Sequence, residues 1–200
     1  MINYNNFDRF LDDNELKSEM RDLKLKLVSG EFDFKINKDF LRSNKKLFRF
    51  IKSNFPNDIV SGSIVLKAYG LLSRESNDLD ILINNSSRYS SYRKGDYGEA
   101  EETHVSNRLG YVDVEYKDGF FSFKKKYKVD FFENLSASYN IVDGIKFHNP
   151  IEVLNCKMNM TLGGYSESSR KHRKDLTDVF RMMYIHSLAK LDTLETFLEK

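Results

Sequence analysis

The sequence predicts an α/β chain of the α+β kind: helices, then a small mixed and partly antiparallel sheet, then helices again. Three observations carry this. Apolar residues recur at spacings of three and four before residue 56, short alternating or wholly apolar runs replace them through the middle, and helical spacing returns after Asn149-Pro150.

The first segment reads as a helix in which Phe7, Phe10 and Leu11, then Leu16, Met20, Leu23 and Leu27, share a face up to Gly30. A second helix starts after Asn37, a good N-cap, and buries Phe40, Leu41, Leu47, Phe48, Ile51 and Phe55 before Pro56-Asn57. Ile59-Val60 then reads as a strand, Ser63–Tyr69 as a short helix, and Leu79–Ile83 as a second strand. Residues 84–107 are rich in Ser, Asn, Tyr and Gly and read as an irregular excursion. Two strand-like runs follow, at 111–116 and 120–132, joined by Lys117-Asp118-Gly119, a hairpin signal. A strand near Ile145–Phe147 leads to Pro150, suited to the first position of a helix that carries Ile151, Leu154, Met158 and Leu162. Gly163-Gly164 ends that helix, and helical patterns resume from Ser168 to the end. Three regions follow: an N-terminal helical extension at 1–44, a core at 45–150, and a C-terminal helical region at 151–200.

Two hundred residues with 40% hydrophobic content, sixteen Phe and eleven Tyr can build a genuine core, which argues against disorder. A net charge of +2 does not mark a nucleic-acid protein by composition. One cysteine, Cys156, rules out an intramolecular disulfide or a multi-cysteine zinc site, and on an apolar helix it reads as a small buried hydrophobe. His104, His148, His172 and His186 have no metal-site spacing. The N-terminus lacks a signal-peptide pattern and no run is long enough to span a bilayer, so no membrane partner and a cytoplasmic location are expected.

The informative stretch is SGSIVLKAYGLLSRESNDLDILI at 61–83. Side chains two apart on a strand share a face, so Asp78 and Asp80 project together while Leu79 faces the core. Adjacent carboxylates repel unless a cation lies between them, and Mg²⁺ or Mn²⁺ prefers such oxygen ligands. Gly62-Ser63 sits where strand turns to helix, where bare backbone and helix amides favour an anion. An anion cradle opposite a metal-binding carboxylate pair suits a nucleoside triphosphate and metal-assisted phosphoryl transfer. Glycosyltransferases use Asp-x-Asp for a metal and a nucleotide-sugar, but on a larger nucleotide-binding domain than this chain has room for. Tyr89, Tyr92 and Tyr97 are candidates to stack on a base.

The order Gly-Ser, short helix, Asp-x-Asp resembles the nucleotidyltransferase (polymerase-beta-like) superfamily. The run GLLSRESNDLD at 70–80 is most similar to the AbiEii-like toxin nucleotidyltransferases, in which Arg-x-Ser-x-Asp-Leu-Asp follows the helix. Fourteen residues separate Ser63 from Asp78, a spacing at home in this branch. The resemblance implies a nucleotidyltransferase core at 45–150, with Asp78 and Asp80 binding metal and a third carboxylate on a later strand. Asp130 is the candidate; Asp113 and Glu115 are its rivals. It further implies that Gly62, Ser63 and Arg74 bind the triphosphate, and that Lys157, Lys174 and Asp175 occupy nucleotide-binding positions on the C-terminal helices. The implied activity moves a nucleoside monophosphate from an NTP such as ATP to a hydroxyl of RNA, tRNA or protein. The implied setting is the cytoplasm of a bacterial or phage-infected cell, with a cognate antitoxin. The rival expectation is a non-catalytic partner of the same fold in a toxin–antitoxin pair or larger assembly.

Overall fold

The computed structural model describes residues 34–72, 76, 78–85, 89, 108–117, 124–134 and 136–163, and isolated positions at 18, 21, 22, 25 and 29. The chain divides into two compact units, Ile36–Val153 and a second made of Met1–Lys35 with Leu154–Lys200. The first unit contains the whole sheet.

Asn37 caps the first helix, α1 (Lys38–Ser43): its Oδ1 accepts hydrogen bonds from the amides of Asp39 and Phe40 at 3.0 and 3.1 Å. The single helix expected over 38–55 is in fact two, because Asn44 leaves helical backbone values (φ −109°, ψ 23°). Its side-chain amide donates to the Phe40 carbonyl at 2.9 Å, the local competition that makes Asn a poor interior helix residue. α2 (Lys45–Asn54) then buries Leu47, Phe48 and Ile51 on one side. Phe40 lies only half-buried, short of the full burial its periodicity suggested.

The sheet follows: β1 (Ile59–Ser61), a short helix α3 (Ser63–Ala68), β2 (Asp78–Ile83), β3 (Arg108–Lys117), β4 (Lys124–Glu133), β5 (Tyr139–Val142) and β6 (Ile145–His148). Spatially the order is β3-β4-β2-β1-β6-β5. β2/β4 and β1/β6 are parallel; β1/β2, β3/β4 and β5/β6 are antiparallel. This is the mixed, partly antiparallel α+β architecture expected. β3 and β4 extend to 117 and from 124, and the expected turn at Asp118-Gly119 lies outside the described residues. β5 is an additional strand. It joins β6 through Asp143-Gly144, both at positive φ (52° and 77°), the backbone of a two-residue hairpin turn that glycine accepts without strain.

Register explains how one sheet serves two purposes. Phe131 pairs with Ile81, Ile81 with Val60, and Val60 with Phe147. All four have no solvent exposure, so they form one apolar row across four strands. The helices close over that face: Phe48 meets Phe147 with ring centroids 5.6 Å apart, and Phe55 meets Phe131 at 5.9 Å. Each fully buried aromatic of this kind stabilises by roughly 1.5–3 kcal/mol. The neighbouring positions, one step along each strand, point to the opposite face. They carry the site.

Asn149 ends β6 and caps α4 (Pro150–Gly163), accepting from the Ile151 amide at 2.9 Å. Pro150 takes the first helical position, where its missing N–H is harmless. Among the described residues, no helix is long and apolar enough to cross a membrane.

Candidate metal centre

β2 contributes Asp78 and Asp80 with Leu79 between them, and Leu79 is 1% exposed, which fixes the strand's orientation. β4 repeats the pattern: Val129 and Phe131 are fully buried on the core face, and Asp130 points the other way. Parallel pairing sets Asp130 directly beside Asp80. One carboxylate oxygen from each of Asp78, Asp80 and Asp130 lies within 4.8 Å of the others. Asp130 is 8% exposed, and Asp78 and Asp80 are half-buried.

Asp113 and Glu115, the rival pair, belong to β3 at the sheet edge. Asp113 pairs with Lys128 and Glu115 with Lys126. The residue of β3 that pairs with Asp130 is Tyr111.

Two further contacts shape the cluster. The Ser76 hydroxyl, nearly buried, donates to the Asp78 carbonyl at 2.8 Å and lies 3.3 Å from its carboxylate Oδ1. The Lys128 ammonium stands 3.7 Å from Asp130 Oδ1 and 4.3 Å from the centre of the Tyr111 ring. At 4.8 Å and an effective dielectric near 20, each carboxylate pair repels by about 3.5 kcal/mol. Lys128 sets one positive charge beside the three carboxylates.

Three hard oxygen donors gathered in this way fit a divalent cation. Octahedral Mg²⁺ binds oxygen at about 2.0–2.1 Å, which spaces its ligands roughly 3–4 Å apart. A spread of 4.8 Å closes onto such an ion with side-chain shifts of under about 1 Å.

Gly62 seals the other side. It is the N-cap of α3, with φ 69° and ψ −149°, a region essentially reserved for glycine. A Cβ built there would overlap Asp80 Oδ2 and lie 2.6 Å from its Cγ. The bend therefore presses bare backbone against the Asp80 carboxylate. Helix α3 starts at this bend, where the amides of Val65 and Leu66 donate to the Gly62 carbonyl at 3.2 and 3.4 Å. Ser63 opens α3 and is buried.

The polar row continues beyond Asp80. Ser61, its partner across β1/β2, has its hydroxyl 2.8 Å from His148 Nδ1. His148 Nε2 in turn lies 2.8 Å from Glu152 Oε2, and Glu152 accepts from the Ser138 amide at 3.3 Å and from the Ser138 hydroxyl. Burial lowers the His148 pKa, outweighing the upward pull of its hydrogen bond and charge contact with Glu152. Burial pushes Glu152 up, but hydrogen bonds from Ser138 and His148 outweigh it and hold that carboxyl below its usual value. A neutral His148 next to an ionised Glu152 carries its proton on Nε2. Nδ1 is then the acceptor, and the Ser61 hydroxyl donates to it.

Other expectations resolve unevenly. Arg74, Lys174 and Asp175 lie outside the described residues, as do Tyr92 and Tyr97. Tyr89 packs its ring 5.5 Å from Phe131. Lys157, in the second unit, is 9% exposed and not solvent-facing. Cys156 is exposed, against the buried position expected: Val153, Leu154 and Lys157 define the buried side of α4, and Cys156 falls on the other. Sequence reasoning missed Ser61, His148 and Glu152, which act through contacts between separate elements, and Lys128, which sits two residues before Asp130 on β4.

No protein-family model matches the sequence, and no curated protein matches it. Among solved structures, JHP933 from Helicobacter pylori is similar, at 22% identity and a TM-score of 0.48, over 82% of this chain and 74% of that one.

Proposed function

We propose that the protein is a nucleotidyltransferase, moving a nucleoside monophosphate from an NTP to an acceptor hydroxyl of RNA, tRNA or protein with release of pyrophosphate. The observation that carries this reading is the convergence of Asp78, Asp80 and Asp130 within 4.8 Å, directly opposite the glycine bend at 62. Those three residues would hold Mg²⁺ or Mn²⁺. A bound divalent ion would supply Lewis-acid stabilisation of the charge that develops during phosphoryl transfer.

The chain's own contributions follow from its geometry. Gly62, having no side chain, lets the Asp80 carboxylate lie directly against the backbone where strand turns to helix. Asp130, the most buried of the three acids, would accept a proton from an incoming hydroxyl. Ser76 fixes Asp78, and the His148–Ser61 bond fixes the strand end beside Asp80.

Incubation with α-labelled NTPs, Mg²⁺ and total RNA or protein tests the reading. The native chain should label an acceptor, and Asp78→Ala and Asp80→Ala should abolish labelling while remaining folded. Undiminished labelling by both variants would defeat it. NTP with metal should also raise the melting temperature of the native chain, following RT ln(1 + [L]/Kd).

A further inference from the structure

A second feature lies on the helices that cover the core face. Lys38, Arg42, Lys45, Arg49 and Lys52 follow one another at intervals of four, three, four and three residues. That is the spacing of a single helical face, and it persists across the break at Asn44. All five side chains are exposed. They rim a groove of about 670 Å³ whose apolar lining includes Leu41, Phe48 and Ile145 and whose far wall is the β5–β6 hairpin.

The charge is concentrated there. Residues 36–55 hold six cations and one acid, a net of +5 in a chain whose total is +2. The acid, Asp39, pairs with Arg42 at 3.1 Å, where both side chains are more than three-quarters exposed and the pair is weak. Lys52 donates to the Asp143 carbonyl at 3.1 Å, which anchors one end of the row to the hairpin. Lys38, Lys45 and Arg49 have no acidic partner among the described residues. Successive cations of the row are three or four residues apart, so within each helix positive charge recurs about every 5 Å along the groove. Lysine and arginine alternate strictly, point charges between planar forks suited to phosphate oxygens.

From this pattern we propose that the α1–α2 face binds the phosphate backbone of a nucleic-acid strand. A regular, one-signed row suits a polymer whose own charges repeat. An acidic protein surface would present irregular carboxylates and hydrogen-bond donors, and among the described residues the lining offers one acid, Asp143, to receive them. The proposal rests on this charge pattern and stands whether or not the carboxylates perform chemistry. The groove meets β6 at Ile145, whereas the carboxylate row meets it at His148, the other end of the strand.

The test is fluorescence anisotropy with a fluorescein-labelled RNA of about 12 nucleotides and mixed sequence, titrated at several salt concentrations. Five phosphate contacts on a single strand give a slope of log K against log salt near −3.5, a loss of roughly 100-fold between 50 and 200 mM. Arg42→Ala/Arg49→Ala should reduce the slope to about −2.1 and that loss to roughly 20-fold, with an unchanged circular dichroism spectrum. Lys45→Gln/Lys52→Gln should do the same and provides a second variant of exposed residues. Lys46→Gln, an exposed cation of α2 outside the row, should bind as the native chain does. No binding at 50 mM salt, or slopes unaltered in both double variants, would overturn the proposal. A fall in slope in Lys46→Gln as large as in the double variants would show that the row has no special part and also overturn it. So would displacement by polyglutamate as effective as by unlabelled RNA of matched charge.

Discussion

Gly62→Ala probes the point where bend and carboxylate meet. The substitution acts in two ways. It places an alanine at φ 69°, ψ −149°, a strain of roughly 1–3 kcal/mol. It also drives a methyl group into Asp80, whose Cγ would be 2.6 Å away, so the carboxylate must leave its rotamer at roughly 0.5–1.5 kcal/mol. Together these amount to about 3 kcal/mol, or a fall of about 6–12 °C in melting temperature for a chain of this length. Displacing Asp80 should also weaken Mn²⁺ binding by roughly 10–100-fold, the range for disturbing a metal ligand's support. Calorimetry of unfolding and of Mn²⁺ binding reads both effects. In an Asp80→Ala background the rotamer component disappears and the backbone strain persists, so Gly62→Ala should destabilise by about 1 kcal/mol less there. Native-like melting of Gly62→Ala, or equal losses in both backgrounds, would refute the close approach.

Asp78→Asn removes repulsion from two neighbouring carboxylates, and after solvent screening should raise metal-free stability by about 1–2 kcal/mol while abolishing stabilisation by Mn²⁺. A lower metal-free melting temperature would contradict this. His148 is held below its ordinary pKa of 6.5, so the folded state takes up its proton less readily than the unfolded chain. Its contribution is complete above pH 6.5 and declines as pH falls from there through the lowered folded value; Glu152, also lowered, loses its contribution in the same direction below pH 4.5. Denaturant melts from pH 8 to 4 should show this slope, and His148→Gln should flatten the part starting at 6.5. Asn37→Ala deletes the two cap bonds of α1 and should cost about 1 kcal/mol in the same melts.

The sequence disclosed this site in proportion to how local its parts are. Asp78 and Asp80 share a strand, so a period of two was enough to put them on one face. Gly62 could be assigned to the bend, but its pressure on Asp80 depends on the antiparallel pairing of β1 with β2. Asp130 is fifty residues from Asp80, and only the parallel register of β2 with β4 brings them together. The Ser61–His148–Glu152 chain is likewise created by β1 meeting β6. Two features were legible locally and were passed over. Asp143-Gly144 is as good a hairpin signal as Asp118-Gly119, but β5 is largely exposed and lacks the alternation that marks a strand. The cation row was written at 38–52, yet the apolar periodicity of the same helices drew the reading inward. Asn44 broke the expected long helix because side-chain competition with the backbone is not part of an apolar pattern.

The parallel contact between β2 and β4 also governs how the chain reaches its native state. It joins segments far apart in sequence, the type of closure that forms late and slowly. That same docking event carries Asp130 up against two like charges, so the barrier to folding contains an electrostatic component. Millimolar divalent cation, present during refolding from denaturant, should therefore speed the reaction as well as stabilise its product.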